Sequence, residues 1–573
     1  MVLGQQLQRC VVAPQAPLTR GTGGVVTKTR RQGVAASTTR LFGGTSAGTC
    51  TSSLSLNNSR RRRQKEQRQQ QRQGGVSCSA ALVAEDDKRV VEEEEECDKR
   101  RQPHVVIAGG GIGGLCLAIA LQAKGVPFKL YEKVKEYKPF GGPIQLQCNA
   151  LESLEAIDMS LAKEIQDLGT ITGDRINGLL DGKTGEWYLR FDTRKPAMKK
   201  GLPLTLVLNR YVLLDILKKR VNPSNIVLGK RVTHFEEVED KETGQKHQVV
   251  HFDDGTSTHG DVVVAADGIN SNVRKQLRPK SDNATYSGYT CYTATCDFEL
   301  EDVDSIGYQV YLGNGQYFVA SDVGEGQTQW YAFQKQEPGN KDLSGDMRGN
   351  LLKAFDGWSE DVVSRLSATL EEDIEQRDIY DRRPIFKWVE GGAALLGDSA
   401  HAMQPNMGQG GCQAIEDAYV LASLLDRVDT SSESSTSSSA IPSISVEKAL
   451  EEYERKRCMR AAAIHGFARS AALMTTTWRP YLGSDPYDFY KYIPGMMSLW
   501  KFTESMKVPH PGKIIGQIAM ILSIDLILDY IACGSPVEKE DRVACCQVPG
   551  VSVPKRNLPK NAFKMKGIPG FAS

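Results

Sequence analysis

Gly109, Gly111 and Gly114 fall in the spacing G-x-G-x-x-G, with Gly113 inside it, and Glu132 and Lys133 follow after a second apolar run. The chemistry this spacing suits is the holding of a dinucleotide. The first glycine permits a tight turn, the second lets the backbone approach a pyrophosphate, and the third lets a helix pack closely on a strand. The phosphates then rest on a helix N-terminus, where unpaired N–H groups and the helix dipole favour anions. Glu132 falls where a carboxylate accepts hydrogen bonds from ribose hydroxyls. On this motif alone NAD, FAD and a glycine-rich turn without ligand all stay open.

Two later groups narrow the choice. An apolar run at 262–266 leads into Asp267-Gly268, which opens D-G-x-x-S-x-x-R through Ser271 and Arg274. A second apolar run at 393–396 ends in Gly397-Asp398, followed by Pro405 and then Gly408-Gln409-Gly410-Gly411, where a helix starts from Cys412. In this order the three motifs resemble the flavoprotein aromatic hydroxylases, the single-component FAD-dependent monooxygenases, over about residues 102–427. The resemblance implies FAD as cofactor. It gives Asp398 a ribityl or ribose hydroxyl to hold, and it aims the N–H groups of the 408–412 helix start at the flavin N1–O2 edge. Negative charge develops there on reduction, which suits a helix N-terminus. Arg210 matches the family's FAD-contacting arginine, with a surface ion pair as the other reading. Asp267-Gly268 falls near the cofactor. His401 is open to two readings, a proton donor or a structural histidine.

Longer strings are similar to the plant zeaxanthin epoxidases within that family: residues 142–152, 172–179, 286–293, 378–382 and 401–412. That resemblance implies O2 and the carotenoid zeaxanthin as substrates. Oxygen would pass from a flavin C4a-hydroperoxide to a ring double bond, giving antheraxanthin and then violaxanthin. Electrons would come from NADPH, by way of reduced ferredoxin. Such a transfer needs neither a nucleophile nor a metal, so no acid–base residue and no metal ligand is singled out; the protein positions the ring and excludes water. Two other functions stay open: an NAD(P)H-dependent FAD hydroxylase of an aromatic or other apolar substrate, and a non-catalytic flavin-binding sensor or carrier. The plant enzymes carry a C-terminal forkhead-associated domain, for which the tail here is expected to be too short.

These residues need a scaffold. Short apolar runs at 104–108 and 128–131 flank helical spacing at 115–123, a β-α-β unit. The expected class is α/β: a Rossmann-like FAD-binding domain over 102–430, an inserted antiparallel β-sheet at about 280–385, and C-terminal helices. Helices are expected at 211–220 and 412–426, and strands at 307–312, 316–321 and 329–334. Those strands are rich in Tyr, Phe and Trp, and Tyr308, Tyr317, Phe318, Trp330 and Phe333 are candidates to line an apolar tunnel. Alternate residues of a strand face opposite sides, so part of this set is expected to be packing alone.

Composition bounds the rest. The chain has 573 residues with 71 Lys and Arg against 70 Asp and Glu, so its balance makes no case for nucleic acid. Charge is uneven, however: the only acid before residue 80 is Glu66, and Arg, Ser and Thr abound. Residues 1–78 are read as a plastid transit peptide and 79–101 as a charged linker, a basic arm being the alternative. The implied location is stroma-facing and peripheral to the thylakoid membrane. The thirteen cysteines show no paired spacing of a zinc site or disulfide framework. Cys291 with Cys296, or Cys545 with Cys546, are redox candidates, or else plain free thiols. Residues 431–446 form a Ser-rich loop, and 447–573 a helical region. Its apolar stretch 514–528, broken by Gln517 and Asp525, is too short to span a bilayer. It would lie in a membrane interface beside Lys501, Lys507 and Lys513, or pack on the body.

Overall fold

The computed structural model describes residues 101–138, 141–242, 244–281, 283–298, 306–430, 443–476, 522, 524–532 and 535–537. The leader, nearly all of the linker, most of the Ser-rich loop, Cys545, Cys546 and the three tail lysines lie outside them.

Val105–Ala108 and Val262–Ala265 are unbroken apolar runs with every residue buried. Strands of that kind belong in the middle of a parallel sheet covered on both faces. They sit there, in a six-stranded sheet of order Val389–Glu390, Ala393–Leu395, Val262–Ala265, Val105–Ala108, Phe128–Glu132, Ile226–Leu228. All neighbours are parallel except the first pair. Helix Ile112–Lys124 crosses between two of these strands and stops at Gly125, whose φ of 74° suits a residue without Cβ. Its middle is buried because helix Gly410–Leu425 lies against it.

A seven-stranded sheet has the order Glu375–Asp381, Thr285–Asp297, Gln327–Gln334, Gln316–Gly324, Ile306–Leu312, Ile176–Asp181, Trp187–Phe191. It is antiparallel except where Ile306–Leu312 runs parallel to Ile176–Asp181. The sheet therefore reaches beyond the stretch expected at 280–385, drawing two strands from 176–191. Ile176–Asp181 reads INGLLD, and its Asn and Gly mask a strand that the sheet nonetheless buries at every position. One face packs Tyr311, Phe318 and Trp330 against Phe355 and Trp358, from the region of helices Met347–Ala354 and Glu360–Ala368. The other face presents Tyr289, Val310, Tyr317, Val319 and Phe333. Cys291 and Cys296 are both buried, and each belongs to a different one of these two faces. They cannot pair with each other, and burial pushes both thiols up, so the redox reading of this pair is withdrawn.

The third element is helix Val446–Thr476, 31 residues long, which runs from the nucleotide sheet to the seven-stranded one. Residues 524–532 form a further helical segment. A small sheet of Ser257–Gly260, Lys246–Phe252 and Val232–Glu239 projects from the nucleotide side. Among the described residues no helix is long and apolar enough to cross a membrane.

Candidate functional site

The glycine loop is shaped by contacts. Gly109 has φ +109°, and a Cβ there would strike the Ala266 carbonyl; one on Gly114 would strike the Gly109 carbonyl. A Cβ on Gly111 would meet nothing within 4 Å, because that position opens onto a cavity. Glu132 holds the loop in shape: one carboxylate oxygen accepts from Gly110 N–H at 2.6 Å and the other from Val134 N–H at 3.1 Å. Lys133 is exposed and does not line the cavity. Helix Ile112–Lys124 starts without a side-chain cap, and so does Gly410–Leu425. Asp158, Asn209 and Ser271 do cap their helices. The two uncapped starts border the same cavity, where their free N–H groups can meet an anionic or electron-rich ligand.

The second and third motifs are tied together. Ser271 Oγ accepts from Arg274 N–H at 2.9 Å, and Asp267 accepts from Asn272 N–H at 2.9 Å. The buried Arg274 guanidinium donates to the carbonyls of Ser399 and Ala400, both at 2.8 Å. Asp417 steadies the turn from below, accepting from Gly397 N–H at 3.0 Å while lying 2.7 Å from His401 Nε2 and 2.7 Å from Arg457 Nε. Burial opposes ionisation of Asp417, but His401 and Arg457 outweigh it and hold the carboxyl down at about 2. Glu416 beside it pairs with Arg457 and Arg460. His401 is buried, turned to Asp417 and absent from the cavity wall, which is the structural role.

Asp398 projects into the cavity. Protein encloses it on the other sides, and this burial raises its carboxyl above the usual range, with His401 and Arg210 pulling the other way. Arg210 also lines the cavity, with Arg377 close behind. Its guanidinium makes no ion pair among the described residues, and burial, then Arg377, lower its pKa while Asp398 raises it. A cation held so, beside an unsatisfied carboxylate, suits a ligand bearing both phosphate and hydroxyl groups.

The cavity measures about 930 Å³ and continues from this polar end to the seven-stranded sheet. Gly268, Gly397, Pro405, Gly408, Gly410 and Gly411 line the polar end. Gln409 does not: its amide donates to Gln147 at 2.7 Å in a buried network beneath the helix start. At the apolar end the wall includes Tyr317 and Phe333, stacked with centroids 4.3 Å apart. Phe318 and Trp330 are removed from the lining set, because the alternation of the strand turns them to the opposite face. Tyr308 does line the wall as expected, and Val310, Val319 and Tyr331 join it; the period of two is the signal for them. Phe467 and Met474 of the long helix, and Ile524, Ile527, Leu528 and Ile531, close the far side. No motif marks them. In the tail, Ile531 and Ala532 pack on the body, while Leu526 is 69% exposed. The described part of the tail thus packs on the body through one face and leaves Leu526 exposed on another.

These residues fit FAD. The open backbone at Gly111, two uncapped helix starts, the free Arg210 and the cavity-facing Asp398 offer partners for pyrophosphate, flavin edge and hydroxyls in one cavity.

The sequence pattern of the family described as "FAD binding domain" matches residues 102–438. Curated relatives include "Zeaxanthin epoxidase, chloroplastic" of Prunus armeniaca, 45% identical over 444 residues, which is 77% of this chain and 64% of that protein. The protein of the same name from Arabidopsis thaliana is 44% identical over 442 residues, 76% of this chain and 63% of that one. The chain thus spans a little under two thirds of the length of these relatives. Among solved structures, a variant of Klebsiella pneumoniae HpxO complexed with FAD superposes with a TM-score of 0.57 at 25% identity, covering 74% of this chain and 99% of that one. A salicylate hydroxylase substrate complex gives a TM-score of 0.56 at 21% identity over 79% and 99%, which shows the shared fold. The chain belongs to the FAD-binding domain family, and its cofactor is FAD.

Proposed function

We propose that this chain is a plastid FAD-dependent monooxygenase that epoxidises zeaxanthin to antheraxanthin and violaxanthin. The observation that carries the reading is the continuity of one cavity, from a polar end built for FAD to an apolar, aromatic-walled end. The curated relatives point the same way. FAD, when bound, supplies the activation of O2. The residues of this chain bind and orient the two partners. Asp398, Arg210 and the two helix starts fix the flavin. Tyr317, Tyr331 and Phe333 present flat apolar surface to a carotenoid ring and keep water away from the reacting edge, where solvent would divert the oxygen. Asn406 Nδ2 donates to the Tyr317 hydroxyl at 2.8 Å, a polar spot beside the aromatic wall that suits a ring hydroxyl.

Electrons come from NADPH by way of reduced ferredoxin in this reading, and the enzyme works on the stromal side of the thylakoid membrane. The exposed Leu522 and Leu526, beside Ile524, Ile527, Leu528 and Ile531 that line the cavity, support peripheral membrane contact. Zeaxanthin could then enter without crossing water. The test is to reduce the FAD-loaded protein anaerobically with ferredoxin or NADPH, add O2 with zeaxanthin or with small phenols, and analyse products. Antheraxanthin followed by violaxanthin is expected. A hydroxylated phenol without carotenoid epoxide would establish the aromatic hydroxylase instead.

A further inference from the structure

Four of the eight histidines of the chain, His234, His247, His251 and His259, lie on the small three-stranded sheet, remote from the flavin motifs in sequence. Register places them together. His251 is the direct cross-strand partner of His234, and Val249, two residues away on the same face, pairs with both Glu236 and His259. Gln248, Val250 and Phe252 are buried, so this histidine-bearing face is the outer one.

Within it three groups converge. The imidazoles of His234 and His251 stack with centroids 4.3 Å apart and planes 7° from parallel. Each Nε2 lies 3.9 Å from Glu236 Oε1. The available donor atoms of the three residues all lie within 4.8 Å of one another. Thr233 Oγ1 lies 3.1 Å from the His251 carbonyl, to which it can donate, and 3.0 Å from His234 Nδ1. With the hydroxyl proton on that carbonyl, His234 Nδ1–H donates to Thr233 and Nε2 keeps a free lone pair, the arrangement by which a supporting hydrogen bond prepares a histidine ligand. His251 Nε2 has no hydrogen-bond partner and is shielded from solvent.

We infer that His234, His251 and Glu236 form a binding site for a divalent transition-metal ion, of the zinc or copper class. Two neutral imidazoles and one carboxylate carry a net charge of −1 and suit borderline ions; Mg2+ and Ca2+ favour all-oxygen sets. Tetrahedral coordination at about 2.0–2.1 Å needs the ligand atoms about 3.4 Å apart, a closure that rotation of the exposed His234 ring and Glu236 side chain towards the half-buried His251 supplies. Three protein ligands leave a fourth position to water. No motif marks these ligands, which sit on two strands and meet only through the register of the sheet.

The strand that carries His234 and Glu236 is tied to the helix beside the flavin cavity. Gln276 accepts from Phe235 N–H at 3.1 Å and donates to Phe235 C=O at 2.7 Å, and Asn272 donates to the Val232 carbonyl at 3.0 Å. Asn272 and Gln276 belong to the helix that follows Asp267-Gly268, whose Gly268 lines the cavity. An ion on the strand is thus two hydrogen-bonded steps from that wall.

The test uses the full-length, FAD-loaded protein and the metal alone. Zn2+ is titrated by calorimetry into the wild type, into His234→Phe/His251→Phe, which keeps aromatic stacking, and into His247→Phe/His259→Phe. The wild type and the second variant should take up one equivalent that the first lacks, and Glu236→Gln should bind at least tenfold more weakly. Equal uptake by the wild type and the first variant would overturn the site, as would loss confined to the second. Should the double variants misfold, Cu2+ on the wild type decides: its paramagnetic resonance spectrum should show coupling to two imidazole nitrogens, and a spectrum without nitrogen coupling would sink the proposal.

Discussion

Trp330 and Tyr331 are neighbours on one strand and serve opposite sides of the sheet. Trp330 is fully buried, stacked on Phe318 at 5.6 Å, with its indole N–H donated to Thr369 Oγ1 at 2.8 Å. Tyr331 lines the cavity and donates its hydroxyl to the Pro143 carbonyl at 2.9 Å. Trp330→Ala should destabilise the fold by about 3–5 kcal/mol, the cost of a large buried cavity. Tyr331→Ala should instead raise KM for the carotenoid by roughly tenfold, about 1.4 kcal/mol of binding. Thermal unfolding and steady-state kinetics on both variants separate the two roles; equal effects on KM would refute the assignment of faces.

The glycine loop makes a second separation. Gly111→Ala should fold with unchanged melting temperature, since its Cβ enters open cavity, yet bind FAD on the order of 10–100-fold more weakly, about 1.4–2.8 kcal/mol. Gly114→Ala should fail to fold, because its Cβ meets the Gly109 carbonyl. Flavin fluorescence quenching and circular dichroism report the two outcomes.

Much of this was legible in the sequence, for definite reasons. The spacing of Gly109, Gly111 and Gly114 specifies a backbone shape, and the apolar runs at 104–108 and 262–266, too short for helices and followed closely by glycine, read as strands buried on both faces. The glycine-rich start at 408–411 names a helix N-terminus without naming what its side chains do, and the amide of Gln409 turns inward although the motif points to the cofactor. Phe318 and Trp330 looked like lining because aromatic content does not say which parity faces the ligand. Ile176–Asp181 stayed hidden because tertiary burial overrides the weak strand preference of Asn177 and Gly178. The tail residues facing the cavity are joined to it by tertiary contact alone.

Asp398 should bind FAD through its ionised form. Asp398→Asn removes a charge-assisted hydrogen bond and should weaken FAD by about 1.5–3 kcal/mol, roughly 10–100-fold. Because burial already raises this carboxyl, FAD affinity should decline as pH falls towards that raised value, and the Asn variant should lose this dependence. Equilibrium dialysis against FAD across pH measures both; an Asn variant with the wild-type pH profile would remove Asp398 from the hydroxyl-binding role.

The buried ion cluster carries a stability signature. Asp417 is held at about 2, below the ordinary carboxylate value of 3.8. A depressed carboxyl contributes stability that is complete above its unfolded value and lost as pH falls through the folded one, here between about 4 and about 2. Arg457→Met leaves Glu416 and Asp417 short of a partner and should cost about 3–5 kcal/mol at neutral pH. Urea unfolding at stepped pH should show the wild type losing stability over that window and the variant losing less.

The central claim is that one cavity brings FAD and zeaxanthin together for oxygen transfer. The most direct measurement supplies the FAD-loaded protein with reductant, zeaxanthin and isotopically labelled 18O2, and weighs the carotenoid product. The account predicts one labelled oxygen in antheraxanthin and two in violaxanthin, with none taken from water. Reductant and O2 consumed to hydrogen peroxide, at a rate indifferent to zeaxanthin and with no label in any carotenoid, would contradict it.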